Sequence, residues 1–199
     1  MVDSSNPLVK NSPLRLKAIR QAINYGFDRR KMMMYLRNSI GTPAESGFIP
    51  SGLPSFDSSV VKGYPYDPVK ARRLLREAGF PDGQGMPPVK LLTIAIYSDL
   101  ASFIARQLEE VGLKIQVEVV QKSLLLEQTA KSQALFFRGS WMADYPEAEN
   151  YLSVFMVRIR HHLIIPVIRT LPLINYMKRP SLPIMTVCVI NCTSRWISW

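Results

Sequence analysis

Acidic residues stop at Glu149. All 15 Asp and Glu of this 199-residue chain lie at or before that position, whereas residues 156–199 carry six bases and no acid: Arg158, Arg160, Arg169, Lys178, Arg179 and Arg195. The solvent faces of helices and strands in soluble domains normally mix both signs. The same stretch holds both cysteines (Cys188, Cys192), both histidines (His161, His162) and two of the three tryptophans, Trp196 and Trp199. The break divides the chain into a body, 1–155, that patterns as an evolved domain, and a tail, 156–199, that does not.

That division decides which chemistry is open to the chain. The body has neither Cys nor His, so Cys–His and Ser–His–Asp catalysis, His-ligated metals and disulfides are excluded there. In the tail, Cys188 and Cys192 lack a second ligand pair, and His161 and His162 are adjacent and distant in sequence. No metal and no cofactor are expected. The net charge of 25 − 15 = +10 falls to 19 − 15 = +4 for the body alone. Two alternative readings, a basic nucleic-acid-binding module and a membrane-associated protein, therefore rest mainly on the tail. Prolines and bases interrupt its apolar stretches before any reaches the roughly 18 residues of a membrane span. Met1, Val2, Asp3 and Ser4 show no basic, apolar signal pattern.

Within the body, Ser12 and Pro13 open a predicted helix with Leu16, Ile19, Ala22, Ile23 and Phe27 inward. Asp28 caps a second short helix over 32–36. Glycines and prolines over 41–63 mark an irregular loop. Asp67 and Pro68 start the clearest helix, with Ala71, Leu74, Leu75 and Ala78 as its stripe and Gly79 as its stop. A buried strand is predicted over 91–97, followed by a helix from Ser98 or Asp99 to Gly112. Leu113, Ile115, Val117 and Val119 alternate with polar residues as a half-buried strand. A helix over 124–132 and a short strand over 134–137 lead into Trp141, Met142, Ala143, Asp144 and Tyr145. The order is that of an α/β fold, with 91–97 and 113–120 parallel if they share a sheet.

No phosphate loop, dinucleotide fingerprint or nucleophile elbow is present. Gly79, Gly83 and Gly85 read as turn glycines. Arg29, Arg30 and Lys31 read as a solvated helix start, and Met32, Met33 and Met34 as core filler. Asp144 and Glu147 fit a capping box for a helix burying Tyr151, Leu152 and Phe155. The same stretch also supports a binding reading. A carboxylate between Trp141 and Tyr145 at a strand-to-helix junction suits a cationic amine. Asp144, Glu147 and Glu149 lack a nucleophile or metal-type partner, so no enzyme is expected.

Five ordered stretches carry a resemblance. They are Arg20-Gln21-Ala22-Ile23-Asn24-Tyr25-Gly26-Phe27-Asp28-Arg29, then Ile49-Pro50-Ser51-Gly52-Leu53-Pro54, then the run from Tyr66-Asp67-Pro68 to Ala78-Gly79-Phe80, then Gln107-Leu108-Glu109-Glu110-Val111-Gly112-Leu113-Lys114-Ile115, and Trp141-Met142-Ala143-Asp144-Tyr145-Pro146. Together they resemble the extracytoplasmic solute-binding proteins, family 5, of peptide and nickel ABC transporters. The chain departs from that pattern at Gly26-Phe27, where the family usually has Ala-Ile.

The resemblance implies a periplasmic binding protein-like (type II) fold, of which 1–155 is a partial C-terminal lobe. It implies a non-enzymatic, monomeric receptor that captures an oligopeptide or dipeptide outside the inner membrane, in the periplasm or cell envelope, and passes it to an ABC permease, with no nucleic acid involved. It assigns Asp144 to the peptide's α-ammonium, with Trp141 beside the ligand and Tyr145 flanking the acid. Without the opposing lobe, the chain alone is expected to bind peptide poorly. Residues 156–199 are expected to be a frameshift product with no evolved fold, because codons built across codon boundaries from Phe155 onward can restore acids and a family-like continuation.

Overall fold

The computed structural model describes residues 7–153, 186–190 and 197–198. Val9 anchors a first helical turn, α1 (Pro7–Lys10). Ser12 then does cap, but only a single 3-10 turn: its Oγ accepts from the Leu14 amide at 3.2 Å. The predicted continuous helix breaks at Leu16, which is extended (φ −79°, ψ 126°), and restarts as α2 (Lys17–Tyr25). The guanidinium of buried Arg20 stabilises the break by donating to the carbonyls of Leu14 (2.7 Å) and Arg15 (3.0 Å). Phe27 therefore lies beyond the helix, yet it is fully buried.

Asp28 caps α3 (Arg29–Arg37), accepting from the amides of Arg30 and Lys31 at 3.0 Å each. The expected solvated start is corrected at Arg29, which is buried and hydrogen-bonded to the Asn24 and Tyr64 carbonyls. Core filling by methionine holds for Met32 alone: Met33 is half-buried and Met34 exposed. The segment between α3 and α4 has no further helix or strand, as the glycines and prolines imply. α4 (Pro68–Glu77) matches the sequence reading: Asp67 Oδ1 accepts from the Lys70 amide at 2.8 Å, and Gly79 turns out with φ +87°. Only glycine adopts that angle without strain.

β1 (Val89–Thr93) and β2 (Ile115–Val119) are parallel, in register from Val89 opposite Ile115 to Thr93 opposite Val119. α5 (Ser98–Glu110) makes the crossover between them. The strand expected over 91–97 stops at Thr93, because 95–97 coil into a 3-10 turn that leaves Ile96 exposed. Leu91 and Leu92 point to opposite faces of β1. Leu91 joins the main core with Ile19, Ile23, Leu75 and Leu108, while Leu92 joins a smaller cluster with Leu125, Ala134 and Phe137. Both faces of β1 are thus covered, as a parallel strand requires.

α6 (Lys122–Ala130) leads to the second corrected strand. The segment 134–137 forms only a one-residue parallel bridge, Phe137 to Leu92, with the Leu92 amide donating to the Phe136 carbonyl at 3.1 Å. The regular strand is β3 (Arg138–Met142), one step later. β3 runs into α7 (Ala148–Ser153), and its edge pairs antiparallel with β4 (Thr186–Ile190), which pairs with β5 (Ile197–Ser198). Phe155, His161, His162 and Cys192 lie outside the described residues, as does the side chain of Cys188.

Candidate functional site

β3 sets the site because residues on a strand alternate in direction. Arg138, Ser140 and Met142 share one face, and Gly139 and Trp141 the other. The chain then turns through buried Ala143 and exposes Asp144 and Tyr145, the latter at 44%. It re-enters the core at Ala148, with fully buried Tyr151 behind it. Tyr151 meets Phe48 edge-on, ring centroids 6.2 Å apart, which fastens α7 to the loop after α3.

α7 begins at Ala148, so the expected capping box is corrected: Asp144 lies too far from the first turn to cap it. The turn closes instead through backbone bonds, Glu147 amide to Tyr145 carbonyl (2.9 Å) and Asn150 amide to Glu147 carbonyl (3.1 Å). Among the described residues, none forms a hydrogen bond or ion pair with the Asp144 carboxylate. It stands in solvent at the strand-to-helix junction, with its acceptor oxygens available to an external donor.

Trp141 is half-buried and held by a residue that sequence reasoning missed. Its indole Nε1 donates to Asn150 Oδ1 at 2.8 Å, and Asn150 is 4% exposed. The only signal was an amide side chain on the first turn of the following helix. The bond fixes the ring plane next to Asp144. The three residues expected to bind ligand are thus gathered on one short segment, two exposed and one oriented from behind.

A separate cavity of about 820 Å³ lies between α3, the loop after it, Tyr97 and Arg138. Trp141, Asp144 and Tyr145 do not line it. Arg138 does, and it shares β3 with Trp141. Its guanidinium carbon sits 3.2 Å from the Tyr97 ring centroid, and its Nη1 donates to Ser140 Oγ at 3.1 Å. On the rim, Arg30 pairs with Glu45 at 2.9 Å. That hydrogen bond holds the Glu45 carboxyl below the usual carboxylate range, with burial opposing it. Burial pulls the Arg29 guanidinium down to about 10, and the Glu45 charge pulls it partly back.

Among the described residues, no group of three or more His, Cys, Asp or Glu is placed to hold a metal ion. No described helix is long and apolar enough to cross a membrane.

Residues 4–157 match the family model described as bacterial extracellular solute-binding proteins, family 5 Middle. The glutathione-binding protein GsiB of Pectobacterium atrosepticum is 33% identical over 152 residues, which is 73% of this chain and 29% of that protein. The periplasmic binding protein DppA of Helicobacter pylori, solved with the peptide STSA, superposes with a TM-score of 0.63 at 24% identity, covering 77% of this chain and 28% of that one. The periplasmic oligopeptide-binding protein OppAIV of Borrelia burgdorferi superposes with a TM-score of 0.65 at 20% identity, covering 84% and 33%. The architecture is therefore that of the type II periplasmic binding proteins. The chain spans about 29% of the length of the curated relatives it matches.

Proposed function

The chain belongs to the bacterial extracellular solute-binding proteins, family 5, and on that premise we propose that it is part of the C-terminal lobe of an ABC-transporter receptor that captures peptides for import. The family is extracytoplasmic, and the parent protein of this lobe works in the periplasm or cell envelope. It binds its cargo as a monomer, hands it to a membrane permease and performs no chemistry.

One observation carries the reading: Asp144 is exposed and unpaired among the described residues, beside an indole that Asn150 orients. An unpaired carboxylate at the mouth of an α/β lobe suits an ammonium group, and an adjacent aromatic face adds to that preference. Every peptide with a free amino terminus offers that group, so recognition there is independent of side chains. Trp141 lies against the ligand's first residue and Tyr145 closes the other side. Glutathione, the ligand named for the relatives, also carries a free α-ammonium, which keeps a short peptide-like cargo within the same logic.

A two-lobed receptor completes its site only when the second lobe closes over the ligand. Isothermal titration of tri- to pentapeptides into the 199-residue chain should therefore give no measurable heat, whereas a full-length, frame-restored parent binds. Tight binding by the 199-residue chain alone would refute the proposal.

A further inference from the structure

We infer that residues 156–199 are read in a displaced frame, and that the protein's own chain continues after Phe155 in the frame one base earlier. The inference concerns what the gene encodes and stands apart from which ligand the lobe takes.

The family match ends at residue 157, two positions beyond Phe155. The last acid, Glu149, lies before that end, and the first His (His161) and the first Cys (Cys188) lie after it. The end of the family match thus falls within 150–160, the interval over which the composition changes, as a single event in the reading frame requires.

The genetic code permits such an event. Phe155-Met156-Val157 is written TTY ATG GTN. One thymine added ahead of ATG gives TTT TAT GGT, Phe-Tyr-Gly, so the loss of one base from a run of four thymines interconverts the two readings. Each displaced codon takes its last two bases from the start of an in-frame codon; its first base varies with synonymous choice, and its second also varies where that codon is for Arg, Leu or Ser. Within 155–181, three positions allow no choice at all: Met156-Val157 gives Gly, Asn175-Tyr176 gives Leu, and Met177-Lys178 gives Glu.

With synonymous freedom elsewhere, 155–181 reads Tyr-Gly-Gln-Asn-Thr-Ala-Pro-Pro-Asn-Tyr-Thr-Arg-Tyr-Thr-Asn-Pro-Ala-Phe-Asp-Gln-Leu-Tyr-Glu-Lys-Ala. Its net charge is zero, two bases against two acids, where the in-frame residues 156–181 carry five bases and no acid. Its first half is a polar turn-rich loop. Its second half opens with Asn-Pro, a cap followed by proline at the first helical position, and then places Phe, Leu, Tyr and Ala at i, i+3, i+4 and i+7. The displaced frame thus specifies a loop and an amphipathic helix with mixed charge. By the same inference, the pairing of β4 with β3, Val187 opposite Trp141, is not part of the receptor's own lobe.

Tryptic mass spectrometry of the protein purified from its source cells separates the two readings. With the codons chosen above, the displaced frame yields the peptide Tyr-Thr-Asn-Pro-Ala-Phe-Asp-Gln-Leu-Tyr-Glu-Lys, whose Leu and Glu hold for any codon choice. The in-frame chain yields the peptide from Thr170 to Lys178. Detection of the first supports the inference, and detection of the second overturns it. Sequencing genomic DNA across codon 155 gives a second test. A displaced frame open through codon 181, with the Phe, Leu, Tyr and Ala spacing intact, is expected. A stop codon there, which the Ile174-Asn175 junction permits as TAA, overturns the inference even if no peptide is recovered.

Discussion

Trp141 donates its indole Nε1 hydrogen to Asn150 Oδ1 at 2.8 Å, tying the last turn of β3 to the first turn of α7 across the exposed carboxylate of Asp144. The bond does two things. It satisfies two polar groups in a partly buried place, and it holds the ring plane that a ligand would meet.

Asn150→Leu keeps the side chain's size and removes the acceptor. The indole hydrogen is then left without its partner, at a cost of about 1–2 kcal/mol. In a background carrying Trp196→Phe and Trp199→Phe, Trp141 is the remaining tryptophan, so its emission reports the change directly. The spectrum should move, and chemical denaturation should shift to a lower midpoint.

Arg29 is a buried cation that organises three segments. It donates to the Asn24 carbonyl (3.0 Å), the Tyr64 carbonyl (2.9 Å) and Asn24 Oδ1 (3.2 Å), and lies 4.4 Å from the Phe27 ring centroid. Arg29→Met preserves the packed stem and removes these donors. About 2–3 kcal/mol of stability should be lost, read from urea midpoints. Arg29→Lys should recover part of it, since one ammonium cannot reproduce the planar fork.

Gly26 and Phe27 exchange volume between neighbours. A Cβ on Gly26 would lie 2.7 Å from Leu108 Cδ2 and 2.9 Å from the Ala22 carbonyl, so Leu108 occupies the space a larger residue would need. Phe27, next in sequence, is fully buried in the same core cluster as Leu108. Gly26→Ala alone should therefore destabilise by about 1–3 kcal/mol through overpacking. Pairing it with Phe27→Ile, the family's usual combination, should recover stability; thermal melts of the single and double variants check this.

Glu45 makes stability depend on acid. Its pKa is depressed in the folded state, chiefly by the Arg30 hydrogen bond. Its contribution is complete above the unfolded carboxylate range, near 4.5, and is lost as pH falls through the lower folded value. Urea midpoints of the parent should drop across that acid window more steeply than those of Glu45→Gln. Above it, the parent should be the more stable of the two.

Much of this was legible because local chemistry and tertiary packing agree. Asp67-Pro68 opens α4 and Gly79 closes it because cap, fixed φ and left-handed stop each act within a few residues. The alternation from Leu113 to Val119 announced β2, and the crossover rule made it parallel to β1. Asp144, Trp141 and Tyr145 share one short segment because they are nearly contiguous in sequence. What escaped notice depends on contacts between distant segments. The break at Leu16 needs Arg20 to reach back to two carbonyls, and buried Arg29 takes one of its acceptors from Tyr64, which returns to it from the loop. Arg138 and Tyr97 stack across 41 positions, and no local pattern encodes that contact.

The most direct measurement compares a tripeptide with its N-acetylated form, titrated calorimetrically into the frame-restored, full-length receptor and into its Asp144→Asn variant. The account predicts that the variant loses about 2–5 kcal/mol of affinity for the free-amine peptide. It also predicts that the acetylated peptide binds both proteins equally weakly. Equal, tight binding of the free-amine peptide to both proteins would contradict it.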